Sequence, residues 1–431
     1  MTGSPRGRSV GPDNFAVRLE QLARKHRWLG RTAYLQGSHR YTYREVHDQV
    51  RHTAGALRRH GVRGEDRVLL ALPDGVAFVV TFLAVLRIGA VAVPVNTFFH
   101  PDELRSTEEI AEASLVVTDA SLRKEFRGRT VTPRDLALTL GLTAEDSTPA
   151  VVSADSPAFA VFTSGTTGTP RLCFHTHGDP LHFDRAIGEV LALRRGEVCY
   201  SVSRMYCAYG LGNSLLLPMQ RGATVVLTPD LADAASALSV VERHGVGVLH
   251  AQVSFYARML AHPGADRLRL LRLALVTGET LPPPLEDGLR RRLGPRLVNI
   301  FGTSEIGHAV LANGPDELRP HSLGRVLAPY RARVVDEAGE PVPAGEVGRL
   351  QISGPTIGPG VTRGGGPPHR LGEDEWFTTG DSARIDEDAV VWLLGRVDDI
   401  EIVGAPPRTS TGKILRRVVR GWSTEVPDGA A

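Results

Sequence analysis

The chain has 431 residues, is 42% hydrophobic and 23% charged, and carries a formal net charge of +2. That length holds two or three domains, and that composition suits a folded core rather than a disordered or fibrous chain. The small net charge gives no bulk electrostatic case for nucleic acid or an anionic membrane, and three cysteines (Cys173, Cys199, Cys207) show neither metal-ligand spacing nor the even count of a disulfide framework.

Residues 1–14 are rich in Gly, Pro, Ser and Arg and lack an apolar signal core, so they are expected to form a loose tail. The longest nearly apolar run, residues 76–86, is too short to span a bilayer, and a cytoplasmic enzyme is the expectation. Residues 15–150 alternate helical and strand patterns, as a first α/β lobe would. Phe15, Leu19, Leu22 and Ala23 fit one helical face, and Val46, Val50, Ala54 and Leu57 recur at helical spacing within residues 43–59. Residues 67–72 and 90–94 read as strands on either side of a helix over 76–88. Residues 127–150 have weak periodicity and are expected to form a surface connection.

A second α/β lobe is expected over residues 151–320. It opens with residues 162–171, Phe-Thr-Ser-Gly-Thr-Thr-Gly-Thr-Pro-Arg, set between two apolar runs. Glycines let a backbone approach a ligand closely, while hydroxyls, bare amides and a basic residue suit phosphate oxygens. The Gly-Lys-Ser/Thr ending of a Walker loop is absent. By its residues alone the stretch is either a Ser/Thr-rich turn or a phosphate cradle. His175 and His177 follow at i and i+2, but no third ligand is placed for a metal. Residues 205–213, Met-Tyr-Cys-Ala-Tyr-Gly-Leu-Gly-Asn, contain Gly-x-Gly without the third glycine of a dinucleotide fingerprint. Residues 273–281 and 297–305 each read as a strand ending in a glycine turn, the second carrying Phe301-Gly-Thr-Ser-Glu305 and then His308. Residues 321–395 read as short strands with Gly/Pro turns, a small β-rich subdomain. They contain Trp376-Phe-Thr-Thr-Gly-Asp381, and Gly395-Arg-Val-Asp-Asp399 opens the last stretch, 396–431.

Taken together and in this order, these motifs resemble the acyl-adenylate-forming superfamily of acyl-CoA synthetases, adenylation domains and luciferases, with benzoate-CoA ligases as the nearest branch. The resemblance runs from about Asn14 to Arg417. It implies ATP-dependent adenylation of a small aromatic carboxylic acid, with Mg2+ bound and coenzyme A or a pantetheine thiol as acyl acceptor. It implies that Thr163, Ser164, Gly165, Thr166, Thr167, Gly168 and Arg171 manage the leaving pyrophosphate. Gly278, Glu279 and Thr280 would lie against adenine, and Asn299, Phe301, Gly302 and Thr303 would complete the nucleotide site, with the Phe301 ring stacked on the base. Ser304 would steady the α-phosphate, and Glu305 would hold magnesium. Ala208, Tyr209 and Gly210 would line the aryl pocket, His308 would face the substrate carboxylate, Asp381 would accept from the ribose, and Arg396 would lie near ribose and phosphate. Phe301, Ser304 and Arg171 stand where the family pattern has Tyr, Thr and Lys.

The resemblance also implies a hinge at Asp398 and a catalytic lysine, Lys413, within Thr-Gly-Lys-Ile-Leu. In the family roughly a hundred residues separate these features; here they nearly adjoin. The 33 residues after Asp398 are too few for an independently folded domain, so a reduced C-terminal segment is expected. Three readings remain open at this point. The enzyme forms a thioester; or it passes the acyl group to a carrier protein, an amine or a complementing partner; or it is a non-catalytic nucleotide- and aryl-acid-binding relic.

Overall fold

A computed structural model describes residues 13–141, 143, 146–163, 170–314, 319–361, 370–372 and 374–396. These residues form three sheets with helices packed around them. The nine-stranded sheet has the spatial order Arg325–Val326, Ala309–Asn313, Leu297–Gly302, Leu273–Thr277, Val248–Gln252, Val198–Ser201, Thr224–Leu227, Thr32–Gln36, His39–Thr42. Its six central strands run parallel, and antiparallel strands flank them at both edges. The six-stranded sheet has the order Thr130–Val131, Leu115–Thr118, Arg67–Ala71, Val91–Pro94, Pro157–Thr163, Arg171–Thr176. A four-stranded antiparallel sheet is built from Arg331–Val335, Val347–Ser353, Phe377–Ile385 and Val391–Arg396 in chain order.

Local chemistry accounts for these elements. Thr42 and Glu45 form a reciprocal capping box that starts the helix Tyr43–Arg59, whose buried face includes Val46, Val50, Ala54 and Leu57. The helix Val76–Arg87 is buried almost all round, which fits its continuous apolar run; it is a core helix. No described helix is long and apolar enough to cross a membrane. Its terminal Arg87 is buried against the Glu20 carboxylate at 3.1 Å. Within the weakly periodic stretch expected as a surface connection lie the short strand Thr130–Val131 and the one-turn helix Pro133–Ala137.

The sheets exchange strands across residue 150. Thr32–Gln36 and His39–Thr42 join the nine-stranded sheet, while Pro157–Thr163 and Arg171–Thr176 join the six-stranded one. Periodicity reports that a strand exists and which face is buried; it does not report its partner. The antiparallel pairing of Pro157–Thr163 with Arg171–Thr176 places Thr163 opposite Arg171. The expected phosphate-loop residues Ser164, Gly165, Thr166, Thr167 and Gly168 connect these strands and lie outside the described residues. Asp398 and Lys413 lie outside them too.

Candidate functional site

Gly278–Thr280 and Thr303–Glu305 follow the carboxyl ends of two neighbouring parallel strands of the nine-stranded sheet. In open α/β sheets this is where ligands bind, because loops leaving the carboxyl ends of parallel strands enclose a crevice. Leu273–Thr277 leads into Gly278, Glu279 and Thr280. Gly278 holds a φ of +93°, a left-handed turn that favours glycine. The Glu279 carboxylate accepts from the Ser254 N–H at 3.1 Å, at the start of the helix Val253–Ala261. The neighbouring strand Leu297–Gly302 leads into Thr303, Ser304 and Glu305. The Thr277 hydroxyl donates to the Ile300 carbonyl at 2.7 Å and ties the two strand ends together. Asn299 lies further back in its strand, buried, with its amide donating to the Ser322 carbonyl at 3.4 Å.

Phe301, Thr303, Ser304 and Glu305 are half-buried, and Gly302 is exposed. Among the described residues nothing engages the Glu305 carboxylate in a hydrogen bond or ion pair. An uncommitted carboxylate at a strand end suits a hard divalent cation. Glu305 and Arg171 both act on the thiol of Cys173. Burial chiefly pushes that thiol well above its usual range; the Glu305 charge adds to this and Arg171 opposes it. Arg171 and the Glu305 carboxylate are thus within electrostatic reach of one side chain. Residues 354–361 cross the same ground: the Gly358 N–H donates to the Glu305 carbonyl at 2.9 Å, and Val361 pairs with Leu172.

The acyl-pocket candidates form a helix rather than a simple turn. Ala208–Leu211 is α-helical, and Gly212–Leu216 continues it as a π-helical turn. Such π segments are rare and favour functional sites. Gly212 has a steric reason: a Cβ there would lie 2.1 Å from Cδ2 of His308. Gly210 packs as closely on the Arg204 carbonyl, at 2.0 Å from where its Cβ would be. Tyr209 stands between two imidazoles, with ring centroids 6.1 Å from His308 and 6.0 Å from His250. Its hydroxyl donates to the Leu275 carbonyl at 3.5 Å.

His308 is buried, and neither ring nitrogen has a hydrogen-bond partner among the described residues. Buried polar atoms are rarely left so, and each exception asks for a ligand or a solvent partner. Both amide atoms of Asn213 and Nδ1 of His250 are buried in the same unpartnered way. Burial pushes His308 down to about 4, and burial with the neighbouring His308 pushes His250 down to about 3. Both imidazoles are therefore neutral at physiological pH. His250 was not singled out by sequence: a lone histidine inside an apolar strand carries no pattern. Asn213 closes the Ala-Tyr-Gly-Leu-Gly-Asn run, but spacing alone gives it no orphaned amide.

This burial has a consequence for stability. An unfolded histidine takes its proton near 6.5, whereas these folded sites refuse it until far lower pH. Their contribution is complete above 6.5 and is lost as pH falls toward the folded values. The stability of a His250→Phe variant relative to the parent should therefore rise by about 2 kcal/mol between pH 7.5 and 5. Denaturant melts at the two pH values check this; an unchanged difference would show that His250 takes its proton as readily in the folded chain as in the unfolded one.

Asp381 and Arg396 meet in the four-stranded sheet, where they face each other in register. The Arg396 guanidinium donates to the Asp381 carboxylate at 3.0 Å and to the Thr379 carbonyl at 2.8 Å. Gly380 between them has a φ of +76°, and a Cβ there would press on Arg396 at 2.8 Å. The histidine pair His175 and His177 gathers no metal set; among the described residues no group of three potential ligands forms.

The model of the AMP-binding enzyme family matches residues 19–364. The chain is 33% identical over 399 residues to a p-hydroxybenzoic acid–AMP ligase, FadD22, of Mycobacterium marinum, covering 91% of this chain and 56% of that protein. It thus spans about half the length of the first curated relatives it matches. It is 31% identical to a 4-hydroxybenzoate–CoA/benzoate–CoA ligase of Rhodopseudomonas palustris, with 86% of this chain and 72% of the relative covered. Among solved structures, a benzoate CoA ligase from Burkholderia xenovorans superposes with a TM-score of 0.80 at 27% identity, covering 91% of this chain and 82% of that one. Those likenesses and the matched span place this chain in the AMP-binding enzyme family.

Proposed function

We propose that this chain activates a benzoate-type aromatic carboxylic acid with ATP and passes the acyl group to the thiol of coenzyme A or pantetheine. In the first step a carboxylate oxygen attacks the α-phosphorus, the bond to the bridging oxygen breaks, and pyrophosphate leaves. In the second the thiolate attacks the acyl carbon and AMP leaves. The observation that carries the reading is His308: a buried neutral imidazole with two orphaned nitrogens, three residues on from Glu305 in the same turn and packed against Tyr209. A neutral imidazole offers one N–H to a carboxylate without neutralising it as a nucleophile. Tyr209 gives a flat ring a flat wall.

Two anions must meet, so charge has to be neutralised and geometry held. Arg171 serves the leaving pyrophosphate, and Ser304 donates to the α-phosphate. Glu305 holds magnesium, which when bound screens the phosphate charge. Asp381, oriented by Arg396, accepts from the ribose. The curated relatives named above act by name on hydroxybenzoate and benzoate, which supports the aromatic class. A second reading concerns the acceptor alone. The Mycobacterium relative is named an acid–AMP ligase, which favours a carrier protein, an amine or a partner-assisted acceptor over free coenzyme A.

One assay decides both points. With ATP and magnesium, pyrophosphate release should be faster with benzoate and hydroxybenzoates than with medium- and long-chain fatty acids. Fatty-acid preference would remove the aryl reading, and no release with any acid would remove adenylation. Thioester formation on adding coenzyme A separates the two acceptors.

A further inference from the structure

Beneath the strand end that carries Ser304 and Glu305 lies a buried polar cluster. His175, in the strand Arg171–Thr176, is fully buried. Its Nε2 is 2.9 Å from the Ser304 carbonyl, and its Nδ1 is 3.1 Å from the Asp179 carboxylate. A carbonyl only accepts hydrogen bonds, so Nε2 carries the hydrogen that meets Ser304, and Nδ1 faces the carboxylate. Asp179 is also buried, at the first turn of the helix Asp179–Leu191. Its carboxylate accepts from the Thr176 N–H at 3.2 Å and the Thr176 hydroxyl at 2.8 Å. Arg370 lies on both carboxylate oxygens, at 3.0 and 2.9 Å. Burial opposes the Asp179 charge, but the His175 and Arg370 contacts outweigh it and hold the carboxyl below its usual range.

The cluster continues into the backbone of the turn. Arg370 donates to the Pro355 carbonyl. The Thr356 hydroxyl donates to the Ile306 carbonyl at 2.7 Å, and the Gly358 N–H to the Glu305 carbonyl at 2.9 Å. Three successive carbonyls, those of Ser304, Glu305 and Ile306, are thus held from beneath. Gly307 closes the turn with a φ of +93°, and a Cβ there would lie 2.7 Å from Cε1 of His175. The imidazole packs directly on the turn backbone.

We propose that His175 is a positioning residue: held by Asp179 and Arg370, it fixes through the Ser304 carbonyl the turn that presents Ser304 and Glu305 to the nucleotide. The role given to that turn rests on the adenylation reading; the contacts that hold His175 do not. Two amide variants separate the contacts. In His175→Gln the amide nitrogen takes the place of Nε2 and keeps the bond to Ser304. In His175→Asn it takes the place of Nδ1 and keeps only Asp179. Pyrophosphate release should fall by about a hundredfold in kcat for His175→Asn, the scale expected for a misplaced catalytic group, with little change in KM for the acid. His175→Gln should stay within about fivefold of the parent, under the tenfold that 1.4 kcal/mol represents. Proton NMR of histidine-labelled parent protein should show the His175 Nε2–H as a hydrogen-bonded resonance protected from exchange with water. A His175 Nε2–H that exchanges freely with water, or variants indistinguishable from each other in kcat, overturns the proposal. If the parent releases no pyrophosphate with any acid, the adenylation reading and the catalytic part of this proposal fall together; the NMR result then still decides the clamp.

Discussion

Replacing Glu305 with glutamine should lower pyrophosphate release by about a hundredfold or more while leaving the melting temperature almost unchanged. The asymmetry comes from the carboxylate's surroundings. It is half-buried at the end of a strand and engages no described residue, so the fold gains nothing from its charge. The backbone of the same residue is held through its carbonyl by Gly358, a contact that glutamine keeps. What the substitution removes is one negative oxygen donor for a divalent cation, and a neutral amide is a poor replacement for a hard ion. The loss should shrink as magnesium is raised, because a weakened site still fills at higher concentration. Rates measured across a magnesium titration test this. A parental rate at limiting magnesium would remove Glu305 from metal binding.

The parts of the fold that follow from local chemistry were legible in the sequence. The helical recurrence of Val46, Val50, Ala54 and Leu57 places one helix over the residues observed, Tyr43–Arg59. The apolar strand runs ending in glycine turns at Gly278 and Gly302 mark the two strand ends where the candidate site lies. The exchange of strands between sheets was not legible, because pairing partners lie far apart in sequence: Tyr34 pairs with Val225.

The same division holds within the candidate site. Residues carried by a contiguous motif stand out, as Phe301 to Glu305 do. Residues that act through a distant partner do not. His175 belongs to a His-x-His pair for which no third metal ligand is placed, and its partners are a carbonyl 129 positions away and an aspartate four residues on. Arg370 stands beside a Gly/Pro-rich stretch and carries no motif, yet it closes on Asp179, 191 positions away. His250 matters only because folding sets it against Tyr209 and His308. A sequence pattern records spacing along the chain, while burial without a partner is a property of the folded interior.

Lys413→Ala should slow adenylate formation by about a hundredfold, or about 2.7 kcal/mol in the barrier. Basic positions in this chain are almost all arginine; Lys25, Lys124 and Lys413 are its only lysines among 50 basic residues. Retention of a compact ammonium in Thr-Gly-Lys-Ile-Leu fits a role in bridging the carboxylate and the α-phosphate, where a planar guanidinium has the wrong shape. The last described residue before it is Arg396, beside the proposed ribose carboxylate Asp381. From there to Lys413 an extended chain reaches roughly 60 Å at 3.3–3.6 Å per residue, so distance does not limit access. Fixing a residue of an unstructured chain costs about 1–2 kcal/mol of backbone entropy. Ile414, Leu415, Val418, Val419 and Trp422 recur at helical spacing, and an apolar face docked on the core would offset part of that cost. Lys413→Arg should accordingly lose nearly as much activity as Lys413→Ala, although it preserves the charge. Trp422→Ala should weaken the reaction less, through poorer docking, and leave ATP affinity unchanged. Single-turnover pyrophosphate release orders the three variants, and a Lys413→Ala rate equal to the parent's would assign the adenylation step wholly to the residues before the hinge.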